Sequence, residues 1–132
     1  MRASTLLFAV LLLTGCATDY HAANRNGGHR EVRLAVNVFR VTFEGNVAST
    51  QAATDRMVLL RSAEVARAHG FPYFTESGAA ATGTAMSIAS TIVTVPASTM
   101  TIVCYGERPD TGVVVHDADT LIVTRGAPTD RR

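Results

Sequence analysis

His116-Asp117-x-Asp119 is the densest group of side chains in this sequence that could hold a cation or pass a proton. Alternate residues of a strand point one way, so such a segment could present two of these groups together. The set is nevertheless too small for a metal. A structural zinc site takes about four ligands, and a calcium loop takes many oxygens at fixed spacing. Asp117 reads better as the N-cap of a helix. His21 and His29 lie in or beside a stretch with no apolar period, which gives a metal no rigid support. Serine is plentiful, but no Gly-x-Ser-x-Gly elbow places one as a nucleophile. Gly78 and Gly83 lack the lysine and the spacing of a phosphate-cradling loop. The residues therefore predict no catalytic group, no metal site and no cofactor.

The remaining reactive side chains are Cys16 and Cys104. Cys16 closes a distinctive segment: Arg2 supplies a positive start, residues 3–13 form a short apolar run, and Leu13-Thr14-Gly15 lead into the cysteine. The run is broken by Ser4, Thr5, Thr14 and Gly15, and falls short of the roughly 20 apolar residues that a spanning helix needs. Leu13-Thr14-Gly15-Cys16 resembles the lipobox cut by signal peptidase II. The resemblance implies that residues 1–15 are a lipoprotein signal peptide, with Leu13, Thr14 and Gly15 as its recognition residues. Cys16 is then the lipidated first residue of the mature chain. Two or more acyl chains anchor a protein stably. Ala17, where inner-membrane retention would place Asp, directs the expectation to the outer membrane, on its periplasmic face. With Cys16 acylated, Cys104 has no disulfide partner in the chain and reads as a small core residue.

The basic side chains number 12 and are all arginine, against 11 acidic ones. Removing the signal takes away Arg2 and leaves the two in balance, without a basic block for nucleic acid or for anionic lipid. The expected partners are the membrane, through the lipid on Cys16, and an envelope protein. Residues 16–28 read as a flexible tether averaging about 20 Å and reaching about 40 Å when stretched. Residues 29–125 are long enough for one small domain, and residues 126–132 read as a loose tail.

Within that domain Val32 and Leu34 alternate with charged residues, and Phe39, Val41 and Phe43 alternate after a change of phase. The pattern predicts two antiparallel strands joined by a turn at residues 35–37. Ser49 or Thr50 is placed to cap a helix ending at His69 and Gly70, with Ala52, Leu59, Ala63 and Ala66 in its apolar stripe. Arg61 and Glu64 are spaced as surface neighbours, whereas Arg56 or Arg67, lying inside the stripe, is expected to meet a carboxylate such as Glu44. The residues Phe71-Pro72-Tyr73-Phe74 read as a short strand and 77–83 as a small-residue loop. A long strand over 84–95 is expected to break at Pro96-Ala97-Ser98 before a returning strand with Met100, Ile102 and Cys104. Val113-Val114-Val115 reads as a short strand. The segment after Asp117 fits a short helix by its cap and a strand by its β-branched Ile122-Val123-Thr124. The result is an α+β fold: an antiparallel sheet of about five strands, one main helix on one face, and possible short C-terminal helix.

The runs GGHREVRLAVNVFRVTFEGN, VLLRSAEVARAHGFPYF, PASTMTI and HDADTL together resemble an uncharacterised family of small outer-membrane lipoproteins of Gram-negative bacteria. That resemblance implies a helix after Asp117 and brings no activity with it. The expected function is a lipid-anchored, non-catalytic envelope module, structural or docking on another protein or on the cell wall, with the hydroxyl-rich hairpin of residues 84–101 as the candidate surface. The alternatives are a small-ligand module, which needs an apolar pocket, and a hydrolase or metalloenzyme, which needs clustered histidine and carboxylate groups.

Overall fold

Phe39, Val41 and Phe43 occupy every second position, so an extended backbone places all three on one face. In the computed structural model, which describes residues 27–126, they lie in β2 (Val38–Glu44) and are buried. Leu13, Thr14, Gly15, Cys16, His21, most of the tether and most of the tail fall outside the described residues. β2 pairs antiparallel with β1 (Gly28–Ala35) on one side. On the other it pairs with β4 (Thr91–Tyr105), with Phe39 opposite Ile102 and Val41 opposite Met100. The expected change of phase is a turn at Val36 and Asn37, preceded by a register shift between Arg33 and Ala35. The Arg33 guanidinium donates to the carbonyls of Ala35 and Val36 across this turn.

α1 spans Gln51–Ala68. The Thr50 hydroxyl accepts the Ala53 N–H at 3.1 Å at its start. At its end Gly70 takes φ +85°, and the N–H groups of Gly70 and Phe71 donate to Arg67 and Ala66, a Schellman closure. The helix packs on the core face of β2 and β4. Its buried stripe is rotated from the expected one: Ala52 is exposed and Leu59 half-buried, while Thr54, Val58, Ser62 and Val65 are buried. The cause is that two hydroxyls behave as small core groups. Thr54 Oγ1 donates to the Gln51 carbonyl and Ser62 Oγ to the Val58 carbonyl, both at 2.8 Å, so neither enters the core unsatisfied.

Arg67 meets a carboxylate as expected, but the partner is Asp119 and not Glu44. Glu44 pairs with Arg30 at 2.5 Å, and Arg67 with Asp119 at 2.7 Å. Arg61 joins the helix to the sheet, holding Glu31 of β1 at 2.8 Å and Glu64 at 3.0 Å.

The largest departure is the hairpin. β3 runs unbroken from Tyr73 to Ile88, and a register shift between Glu76 and Gly78 absorbs Ser77, so the supposed loop is strand. The chain reverses at Ala89 and Ser90, both with positive φ, a two-residue turn that matches the twist of the strands. β4 then runs through Pro96 without breaking. The Pro96 carbonyl accepts the Gly45 N–H at 2.9 Å, so its backbone groups face the side where β2 has just ended. The missing N–H therefore costs no rung with β3.

β5 is Val115–Asp117, not 113–115; Val113 and Val114 are exposed. It pairs with the first residues of β3, completing an antiparallel sheet in the order β1-β2-β4-β3-β5. Helix α2 (Ala118–Gly126) follows, capped by Asp117, whose Oδ1 accepts the Thr120 N–H at 2.9 Å. Leu121 and Ile122 pack against the core, which decides the open choice in favour of helix. Both helices stand on one face of the sheet, an α+β fold with one covered layer.

Two stability measurements check this account. Ile102 is fully buried opposite Phe39, and Ile102→Ala is expected to lower the unfolding free energy by about 2–5 kcal/mol in denaturant titration. The hydrogen bond from Arg61 is the main cause holding the Glu31 carboxyl below its ordinary value. A lowered carboxyl contributes stability above its unfolded pKa, about 4.3, and loses it as pH falls through the folded value. The stability difference between wild type and Arg61→Gln should therefore shrink as the pH is lowered through that range. A constant difference would assign the Arg61 contribution to packing.

Candidate functional site

The residues of His116-Asp117-x-Asp119 are divided among three structural tasks. His116 Nε2 lies 3.0 Å from Glu76 Oε1 and its ring stacks on Phe74, with centroids 5.0 Å apart. Asp117 caps α2, and the Thr120 N–H it accepts holds its carboxyl below the ordinary range. Asp119 faces Arg67. His29 lies 3.8 Å from Glu31. Among the described residues no group of three or more His, Cys, Asp or Glu side chains could hold a metal. Cys104 is buried in the core, where burial pushes its thiol up to about 11.

What the fold does present is an arm. The last β2–β4 pair is Glu44 with Ala97, and Ala97 faces Thr82 of β3. Beyond that level the sheet narrows to two strands, residues 83–88 and 91–96. No charged side chain occurs from residue 77 to residue 106. Large apolar groups are open to water along it: Met86 is 48 % exposed, Ile88 42 % and Ile92 77 %. Met86, Ile88, Val93 and Val95 share one face of the arm, continuous with the sheet face that carries Thr99, Thr101 and Val103. Among the described residues no helix covers this second face.

On the helix side, a groove of about 430 Å³ lies between α1 and the root of the arm. Val58, Leu59, Met100 and Ala79 form its apolar floor, with Asp55, Arg56, Glu76 and Arg125 on its rim. Ser98 sits at its inner end. Its hydroxyl meets the Asp55 carboxylate, Gln51 Nε2 at 2.8 Å and Thr54 Oγ1 at 3.1 Å. This network joins a helix end to a strand, and it contains no histidine.

No family model, no characterised protein and no solved structure matches the chain. Among the described residues no helix is long and apolar enough to cross a membrane.

The sequence predicts a hairpin over residues 84–101 with its turn at 96–98; the chain turns instead at Ala89-Ser90, which divides the expected strand 84–95 between β3 and β4. The unbroken strand of the arm could have been suspected from the absence of charge over residues 77–106, which is unusual for a solvated loop.

Cys104 gives a direct test of the core assignment. A maleimide at neutral pH should leave Cys104 unlabelled in the native protein and label it after denaturation. Because the folded thiol titrates near 11 against an ordinary 9.0, stability should fall as pH rises between those values, an alkaline loss absent from Cys104→Ala. Rapid labelling of the native thiol would contradict a packed core there.

Proposed function

We propose that the chain is a lipid-anchored component of the bacterial envelope, held on the periplasmic face of the outer membrane through Cys16, which acts by docking and performs no catalysis. The observation that carries the docking half is the uncharged two-stranded arm, which leaves backbone hydrogen-bonding groups and large apolar side chains in water. Such an edge can receive another strand. The anchoring half is supported by Leu13-Thr14-Gly15-Cys16 and its resemblance to a lipobox.

The topology favours joining the two. β1 starts at Gly28, which faces Glu44, so the chain enters the sheet at the end from which the arm projects. The tether expected from sequence would average about 20 Å between Cys16 and Gly28 if it behaves as a coil. The arm extends six residues past the sheet, about 20 Å at 3.3 Å per residue. A lipidated Cys16 would thus keep the arm within reach of the bilayer surface and of other proteins held there. The near balance of acid and base argues against nucleic acid as a partner.

A small-ligand role has the groove in its favour, since its volume falls within the usual range for such sites. It is the weaker reading because the groove is a cleft at the helix margin and its inner polar groups already satisfy one another.

Intact mass and membrane fractionation of the natively expressed chain, beside Cys16→Ala, test the anchor. Wild type is expected in the outer-membrane fraction with a mass of the chain from residue 16 plus acyl groups, and Cys16→Ala in the soluble periplasmic fraction. An unmodified, soluble wild type would overturn the anchoring, and a neighbour cross-linked through the arm would support the docking.

A further inference from the structure

Three of the open strand edges in this sheet carry a protective device. β1 places Arg30, Glu31 and Arg33 along its edge, and β5 is three residues long. The part of β4 that extends past β2 is closed at its root by Pro96, which has no N–H to offer. Charge, shortness and proline are the usual means by which a sheet avoids pairing with another chain. On β3, Glu76 and the register shift at Ser77 guard only the root, and residues 78–88 carry no such device. The pairing of β3 with β5 stops at Thr75, and from there to Ile88 that edge has no neighbour among the described residues.

We propose that this edge is covered by the same edge of a second copy, the two β3 strands pairing antiparallel about a two-fold axis at Gly83. The backbone directions suit it. Because the Pro96 carbonyl is turned toward Gly45, the facing residues Gly83 and Pro96 exchange no hydrogen bonds. The N–H and C=O of Gly83 therefore point out of the open edge, and those of Ala81 and Ala85 do so by alternation. About an axis at Gly83 these outward groups meet their equivalents: Gly83 faces Gly83 of the second copy, and Ala81 faces Ala85.

Side-chain size selects the same register. On the uncovered face, Ile88 comes opposite Gly78 of the second copy, Met86 opposite Ala80, and Thr82 opposite Thr84, so each large side chain meets a small one or its like. The edge carries no charge from residue 77 on, so identical strands approach without repulsion, and an oppositely charged partner would find nothing to pair with. The paired segment, residues 78–88, is roughly 35 Å long at 3.3 Å per residue. The two-fold stands perpendicular to the sheet, leaving both copies of α1 on one side and merging the two uncovered faces on the other. This inference rests on the docking reading of the arm and names its partner; it does not require the lipid.

The test uses the full chain with Cys16→Ala, measured by sedimentation velocity over a range of concentrations. A mass twice that of the chain is expected at the upper end. Thr82→Arg brings the arginines of the two copies together as diagonal neighbours across the axis, each facing Thr84 of the other, and should raise the dissociation constant severalfold, with circular dichroism unchanged. Adding Thr84→Glu should restore the dimer, since arginine then faces glutamate. Facing residues of a pair without hydrogen bonds have Cα atoms about 4.5 Å apart, within reach of a disulfide. Thr82→Cys with Thr84→Cys should therefore give an oxidised dimer, and Thr84→Cys with Met86→Cys, which do not face each other, should not. A folded chain that stays monomeric, a dimer indifferent to Thr82→Arg, or equal cross-linking by both cysteine pairs would each overturn the proposal. A soluble, unacylated wild type sinks the anchor and leaves this test intact. A monomeric Cys16→Ala chain sinks the pairing and leaves the anchor intact.

Discussion

The pairing of β2 with β4 is the constraint on which the other elements depend. It sets Phe39 against Ile102, Val41 against Met100 and Phe43 against Ser98, and a slip of one residue would turn every one of these groups to the wrong face. The same register determines where α1 can sit, because the helix needs the apolar face that only these two strands supply together. It also determines where the sheet narrows. β2 ends at Glu44 while β4 runs from Thr91, so the part of β4 without a β2 neighbour can only be a ribbon with β3. Core and arm are thus two consequences of two paired strands of unequal length.

A polar seam marks the boundary between them. Ser98 is buried on the core face at the root of the arm, where an apolar residue would be the simpler choice. Its hydroxyl is held by Gln51, Thr54 and Asp55 in the first turns of α1. Leaving such a buried group unsatisfied costs about 1–3 kcal/mol, so the start of the helix is tied to this point of β4 more tightly than nonspecific packing would achieve. On one side of the seam the helix covers the strands; on the other the strands continue without it. Gly45 closes the seam from the third side through its bond to Pro96, which stops β2 and allows the proline in β4 with one contact.

Signals confined to a few neighbouring residues were legible in the sequence. Thr50 and Gly70 mark the limits of α1 because a cap and a positive φ are local requirements. The alternation in β2 speaks for itself. Residues 77–83 did not read as strand because alanine, glycine and threonine in that mixture have little tendency toward it; they are extended because β4 is beside them. The reversal at Ala89-Ser90 lacks the glycine or asparagine that usually announces such a turn, whereas Pro96 looked like a break and is not one. The buried stripe of α1 lies off the one its apolar residues outline because Thr54 and Ser62 are buried as small groups. Ile122-Val123-Thr124 favours a strand locally, but the Asp117 cap and the packing of Leu121 and Ile122 prevail. For the site, the absence of charge was visible in the sequence; the open edge was not, since it depends on which strands lie side by side.

An isolated two-stranded ribbon is marginal in water, and the arm buries little of its own apolar surface. Cross-strand pairs such as Met86 with Val93 add roughly 0.2–1 kcal/mol each, too little to order it alone. What holds the arm extended is that both its strands grow out of the sheet, one of them from β4, whose alternate residues from Pro96 to Cys104 are buried. The ordering of the backbone is therefore supplied by the core before any partner arrives. A flexible segment would lose that conformational freedom at the moment of docking, roughly 1–2 kcal/mol for every residue fixed. An edge already held straight loses far less, and the small side chains of residues 78–85 have little rotamer freedom to give up. Attachment at the root and the absence of charge along the edge thus act in the same direction: both would favour the strand pairing proposed above.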